Sequence, residues 1–300
     1  MKPKSRLVLG TAQLGMPYGI SNKTGQPDMQ TAEEIIAAAL ENGVFEFDTA
    51  QAYGRSEEVL GAALKRLAVC DSVRVVTKLK PELRQSDFPN LKQGLEQSLD
   101  RLNVPRLHGL LLHNEEQLDL WDKGLGEMLI EFVREGLVDR LGVSVYKPFR
   151  AAQALQTQGI DMLQLPANVF DRRFEDAGIF STARHKKKHI YVRSIFLQGL
   201  LLMDVSAVPS HMRFALPDLK NLEKLAAGLG VSRQELSLGY VKQAFPEARV
   251  VFGAETVAQI RMNARAWDKD HPEELLKRAR EDFRGLSEQI LNPGLWPGVN

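Results

Sequence analysis

One rhythm narrows the possible folds of this chain more than any other feature. Short branched-apolar runs alternate with longer stretches of helical periodicity from end to end. The runs begin near Leu7 (LVLGT), Val44 (VFEFD), Val73 (VRVVTK), Leu107 (LHGLLLH), Val138 (VDRLGVS), Met162 (MLQL), His189 (HIYVRS) and Arg249 (RVVFG). Their starts are mostly 24 to 34 residues apart, about the length of one strand-plus-helix unit. Most lack strict polar/apolar alternation, as parallel strands covered on both faces do.

The intervening segments carry helix signals. Thr31 with Glu34 forms a capping-box pattern ahead of an apolar face made by Ile35, Ile36, Ala39 and Leu40. Val59, Leu60, Ala63, Leu64 and Leu67 repeat the stripe, as do Leu91, Leu95, Leu99 and Leu102. Further helices are expected over 125–134, 151–155, 218–229, 234–244 and 256–266. Eight strands with helices between them predict a closed (β/α)₈ TIM barrel. A doubly wound open sheet is the competing arrangement, but GxGxxG is missing after the first strand, where the glycines are Gly10, Gly15 and Gly19. Two stretches break the rhythm: 198–217, expected as a long loop after strand seven, and a C-terminal helical and loop extension over 267–300. The chain is therefore expected to form a single domain over 1–300, with the barrel at about 5–266.

Composition removes several function classes. Lys plus Arg total 39 against 38 Asp plus Glu, a formal charge of +1, which gives nucleic-acid binding no global support. The HKKKH run at 185–189 reads as a solvated helix end. Cys70 is the only cysteine, so an internal disulfide and multi-cysteine metal sites are excluded. No apolar run approaches the ~20 residues of a membrane span, and MKPKSRLVLG enters a strand without a signal-peptide core. The expectation is a soluble cytoplasmic protein with no resident metal, no nucleic-acid partner and no membrane partner. No heptad or exposed edge marks a self-association surface.

In barrel enzymes the chemistry gathers at the C-terminal strand ends. Here those ends hold Asp48, Lys78 and His113, with Tyr53 in the loop DTAQAYG. A phenol with pKa ~10 needs tuning to exchange protons at neutral pH. An ammonium beside it lowers that pKa, a carboxylate keeps the ammonium charged, and an imidazole can orient a carbonyl oxygen. Such a group can protonate a nascent alkoxide if hydride reaches carbon, and no side chain donates hydride. A nicotinamide cofactor is therefore implied.

The segments FDTAQAYGRSEEVLG (47–61), VVTK (75–78), LLLH (110–113), GLVDRLGVS (136–144), LQLPANVFDRR (163–173) and VVFGAETVAQIRMN (250–263) resemble the aldo-keto reductase family. They run in the family's order over nearly the whole barrel. The resemblance implies NADP(H), less often NAD(H), bound in extended form, and reduction of aldehydes or ketones or the reverse oxidation. It makes Tyr53 the general acid/base, Lys78 the residue that lowers its pKa, Asp48 the lysine's partner and His113 the carbonyl-orienting group.

The resemblance also implies a cofactor-binding set. Thr11 follows strand one, while Ser144 and Gln164 lie at the nicotinamide carboxamide. Family members commonly carry Ser-Asn where this chain has Ser144 and Val145. The strand-seven exit, Arg193, Ser194, Phe196, Leu197 and Gly199, corresponds to the strip over the pyrophosphate. Arg193 replaces the usual aromatic residue, leaving two uses open: stacking on a ring or pairing with an anion. Gly253 and Ala254 lead into a helix start suited to phosphate, and Gln259 and Asn263 correspond to adenosine contacts. Glu255 stands where NADP-preferring members have Lys or Arg, and its charge opposes a 2′-phosphate. Arg261 is too far along to replace that cation.

For the small-molecule carbonyl or alcohol substrate, Leu14, Met16 and Tyr18 are expected at the catalytic rim. The loop residues Met203, His211, Met212 and Phe214 and the tail's Trp296 are candidates to close over it, with packing on the barrel exterior as the alternative for Trp296. Polyol-like and aromatic carbonyl compounds both remain compatible. Two other functions compete: a lyase or aldolase using Lys78 as a Schiff-base nucleophile, and a nicotinamide-binding regulatory subunit.

Overall fold

A computed structural model describes residues 5–297 except 21, 23 and 24. Its eight strands are β1 (Leu7–Gly10), β2 (Glu46–Asp48), β3 (Arg74–Lys78), β4 (Gly109–Leu112), β5 (Leu141–Ser144), β6 (Ile160–Pro166), β7 (His189–Arg193) and β8 (Arg249–Gly253). Each pairs in parallel with the next, and β8 pairs with β1 through Leu7↔Val250 and Gly10↔Gly253, closing the barrel. The predicted (β/α)₈ architecture is the observed one, and the helix-covered strands explain the continuous apolar runs.

Four strand runs begin one to three residues earlier in sequence than their strands do, the fourth and fifth among them. Leu107 and Val138 form only an isolated bridge, and the ladders start at Gly109 and Leu141. Polar residues occupy the gap: Asp139 pairs with Arg106 and His108. The first long helix, Met29–Glu41, is capped by Asp28, which accepts from the Thr31 amide at 2.8 Å, so the capping box expected at Thr31 is corrected. The stretch after β7 folds into short 3₁₀ segments, Leu197–Leu202, Val205–Ala207 and Ser210–Ala215. Beyond the helix Val257–Asp268, Phe283, Ile290, Leu291 and Trp296 are buried in the same core as the barrel's outer face.

The pleat sorts side chains into two cores. Alternate residues pack against the helices, while Val8, Val76, Leu111, Met162, Tyr191 and Val251 fill the barrel's inside. Gly142 leaves room there, because a Cβ on it would lie 2.4 Å from the Met162 carbonyl oxygen. Two residues beyond this layer come Gly10, Lys78, His113, Gln164, Arg193 and Gly253. Asp48 joins them from β2. Period-two geometry thus delivers the strand-end residues to one rim.

Candidate active site

Lys78 is the deepest member of the rim, only 1% exposed. Its Nζ donates to Asp48 Oδ1 at 2.9 Å, Asp48 Oδ2 at 2.7 Å and the Thr49 carbonyl at 2.9 Å, which uses all three ammonium protons. Gln164 Nε2 adds a 2.6 Å bond to Asp48 Oδ1. Burial pushes the lysine below its ordinary pKa, and the Asp48 charge opposes that fall.

A clasp of backbone and hydroxyl groups places Tyr53. The Thr11 hydroxyl donates to the Asp48 carbonyl, the Ser56 hydroxyl contacts Thr11, and Thr49 donates to Ser56. Gly15 and Gly54 let the two loops touch: a Cβ on Gly15 would fall 1.9 Å from the Tyr53 carbonyl oxygen. Glu57 then anchors the following helix, accepting from Thr77 and from Arg101. The Ser and Glu of the YGRSE segment are therefore structural parts that hold the tyrosine in place.

The Tyr53 ring meets His113 edge-on, with centroids 5.6 Å apart and planes at 86°. Lys78 Nζ lies 5.0 Å from the Tyr53 centroid. Burial first, then the Asp48 charge, hold the phenol above its ordinary pKa. The expectation is a phenol lowered by Lys78; burial dominates instead, with the nearby Asp48 carboxylate adding to it. Burial and then the Lys78 charge push His113 down to about 4, so the imidazole is neutral at pH 7. Its Nδ1 is buried with no protein partner.

A cavity of about 460 Å³ opens from Asp48, Tyr53 and Gln164 along the ends of β7, β8 and β1. One wall is the Ser194–Gly199 turn, in which Ser194, Leu197, Gln198 and Gly199 all have positive φ (58°, 45°, 53° and 93°). Left-handed non-glycine residues cost about 1–3 kcal/mol each unless their surroundings impose them. Here Asn168 Nδ2 holds the Ser194 carbonyl at 3.0 Å, and the Ile20 amide holds that of Gln198 at 3.2 Å.

The far end is lined by Glu255, Gln259 and Asn263. Its helix begins at Val257, with Thr256 capping the Gln259 amide. Gln259 Oε1 accepts from the Glu255 amide at 2.6 Å. Among the lining residues that escaped sequence reasoning are Ser232, Arg233 and Gln234, at the start of the helix Arg233–Ala244. Gln234 Nε2 donates to Asn263 at 2.6 Å, and Arg233 is tied to the Met203 carbonyl at 2.6 Å. The Ser232–Glu235 capping box was visible in the sequence, but not the barrel closure that brings it to this wall.

Other expected residues lie elsewhere. Leu197 is fully buried in the outer core, and Ser144 is buried without reaching the cavity. Among the described residues, Tyr18 borders the cavity but Leu14 and Met16 do not, and Leu202 is the last wall residue of the 198–217 stretch. Trp296 packs in the core with its Nε1 donating to the Gln289 carbonyl, and no described residue of the tail lines the cavity. His108 pairs with Asp139 at the opposite end of β4.

A closed parallel barrel with buried acid, ammonium, phenol and imidazole at its C-terminal rim defines a (β/α)₈ enzyme-type site. The model of the Aldo/keto reductase family matches residues 6–281, and the chain belongs to that family of NAD(P)H-dependent oxidoreductases. It is 28% identical to the aldo-keto reductase YhdN of Bacillus subtilis (strain 168), over 72% of this chain and 65% of that protein. It is 25% identical to a probable voltage-gated potassium channel subunit beta of Arabidopsis thaliana, over 88% and 89% of the two chains. In fold it is similar to the glycerol dehydrogenase structure from Gluconobacter oxydans, with a TM-score of 0.76, 24% identity and coverage of 94% and 92%. No described helix is long and apolar enough to cross a membrane.

Proposed function

We propose that this protein interconverts an aldehyde or ketone and its alcohol, with Tyr53 giving the proton to the carbonyl oxygen. The observation that carries this reading is the placement of the Tyr53 phenol, held in its neutral acid form, against a neutral imidazole at the end of a long cavity. His113 packs edge-on against Tyr53 just behind the cavity wall, and its buried Nδ1 has no protein partner. Lys78, fixed by Asp48, lies close enough to Tyr53 to stabilise phenolate character once the proton has moved.

The cavity suits an extended dinucleotide. It has a polar end at Tyr53 and Gln164, a sharply turned wall at Ser194–Gly199, and a helix start whose first amides can meet phosphate. Gln164 and Arg193 would border the nicotinamide end, while Glu255, Gln259 and Asn263 would hold the adenosine end. A nicotinamide bound there would supply the hydride for the carbonyl carbon. Glu255 has no ion-pair partner among the described residues, and Arg261 faces Glu41 instead, so NADH is admitted beside NADPH.

A Schiff-base lyase is disfavoured, because an ammonium that donates all three protons has no lone pair for a carbonyl. The deciding experiment follows nicotinamide absorbance with a panel of aldehydes and ketones, using NADH and NADPH in parallel. Carbonyl-dependent oxidation of either is expected. Cofactor binding without turnover across the panel would instead favour the regulatory role, which the potassium channel subunit's name brings into view.

A further inference from the structure

Arg193 carries a charge that the proton-transfer apparatus leaves unused. It ends β7 and lines the cavity, with Tyr146 covering one face of its guanidinium, 4.0 Å from Cζ to the ring centroid. Glu115 fixes the Tyr146 backbone by accepting from its amide at 2.7 Å. On Arg193, Nη1 donates to Ser194 Oγ at 3.2 Å, while Nη2 is buried and bonded to nothing. No carboxylate among the described residues lies within ion-pair distance, and Asp48 is taken by Lys78 and Gln164. A buried donor left unmet costs free energy, and a guanidinium held flat by an aromatic ring is preorganised for paired oxygens.

Arg193 also sits at the reacting end of the cavity. Its charge acts on Tyr53, Tyr18, Lys78 and His113, and Glu255 belongs to the opposite end of the wall. We propose that Arg193, braced by Tyr146, binds an anionic oxygen group of the carbonyl substrate, which makes acidic aldehydes or ketones the preferred class. The proposal rests on the carbonyl-reduction reading above. A phosphate of the cofactor offers the same chemistry, so the test separates the two sources.

The first arm needs no turnover. Calorimetry with benzoate and with benzamide, each with and without reduced cofactor, compares an anion with its neutral counterpart. The wild type should bind benzoate about tenfold tighter or more, and Arg193→Gln should bring the ratio near one. Tyr146→Ala, which frees the guanidinium from outside the cavity, should erode the ratio several-fold and serves if Arg193→Gln does not fold. The second arm compares kcat/KM for glyoxylate, succinic semialdehyde and 4-formylbenzoate with their methyl esters, spanning three spacer lengths. At least one acid should be preferred about tenfold, and Arg193→Gln should remove that preference.

Equal binding of benzoate and benzamide by the wild type overturns the proposal. So does an Arg193→Gln protein that loses NADH or NADPH affinity while keeping the acid-to-ester ratio, because the guanidinium would then serve the cofactor. Selective benzoate binding without reduction of any acid or ester would sink the carbonyl reading and leave the anion site standing.

Discussion

The two ends of the barrel interior use the same strands and reach opposite outcomes. At the N-terminal end, Glu46 of β2 accepts a hydrogen bond from Tyr191 of β7 and is flanked by Arg249 at 3.6 Å and Arg74 at 3.9 Å. Two residues beyond Glu46 and Tyr191 stand Asp48 and Arg193, and four beyond Arg74 stands Lys78. The layer between them is apolar apart from the Tyr191 hydroxyl. At the lower end each buried polar group has a partner. At the upper end a His113 nitrogen and an Arg193 nitrogen are left open. Buried polarity stabilises only when it is satisfied, so the lower cluster belongs to the fold, while the upper one keeps polar nitrogens that the protein itself does not use.

The sharpest way to break this comparison is to change one hydroxyl at each end. Tyr53→Phe should lower kcat by about 10²–10⁴-fold, the typical worth of a general acid–base group. Cofactor binding by fluorescence titration should persist, since the phenol acts in the transition state. Near-full carbonyl reduction by this variant would show that the chemistry lies elsewhere. Lys78→Met tests both properties together. It leaves Asp48 buried with only Gln164 and should cost about 3–5 kcal/mol in denaturant unfolding, with activity lost as well. Unchanged stability would mean that water or a rearranged side chain replaces the ammonium. At the lower end, Tyr191→Phe should cost about 1–3 kcal/mol, because Glu46 keeps its arginines but loses a buried donor. Its kcat should match wild type. A kcat effect without a stability effect would erase the distinction between the two ends.

The upper end was legible because strand periodicity and residue chemistry point the same way. The second, third and fourth runs each stop at a polar residue, so Asp48, Lys78 and His113 could be named before any packing was known. The partners of those residues were not legible. Gln164 gives its amide to Asp48 across 116 positions of chain, and Arg193 meets Tyr146 through two loops that no spacing rule links. The expectation for the phenol erred for a related reason. The direction of the Tyr53 shift depends on how deeply the ring is buried and how near the Asp48 carboxylate lies, and sequence carries neither quantity. The tail's seat stays open in the sequence between the cavity and the barrel exterior, because the spacing of Leu275, Leu276, Phe283 and Leu286 reveals an apolar face without revealing which surface it covers.

The smallest expected effect lies outside both clusters, at the cavity's far end, and asks whether the open-valence logic extends there. Glu255 is half-buried, and burial raises its carboxyl above the ordinary range, as expected for a carboxylate with no cation paired to it. Arg233, the other cation on the wall, is held by the Met203 and Leu202 carbonyls and by Asp204. A 2′-phosphate here would meet a like charge with no free clamp. At ~4 Å and an effective dielectric of ~20 that repulsion reaches roughly 4 kcal/mol per unit-charge pair, and exposure and side-chain rotation reduce it. We expect wild-type dissociation constants for NADH and NADPH to lie close together, and Glu255→Arg to move the ratio toward NADPH by about tenfold, ~1.4 kcal/mol. An unchanged ratio would place the side chain away from the ribose. Its charge would then be explained by the N-terminus of the helix Val257–Asp268 alone, where the dipole favours an acid whether or not a cofactor is bound.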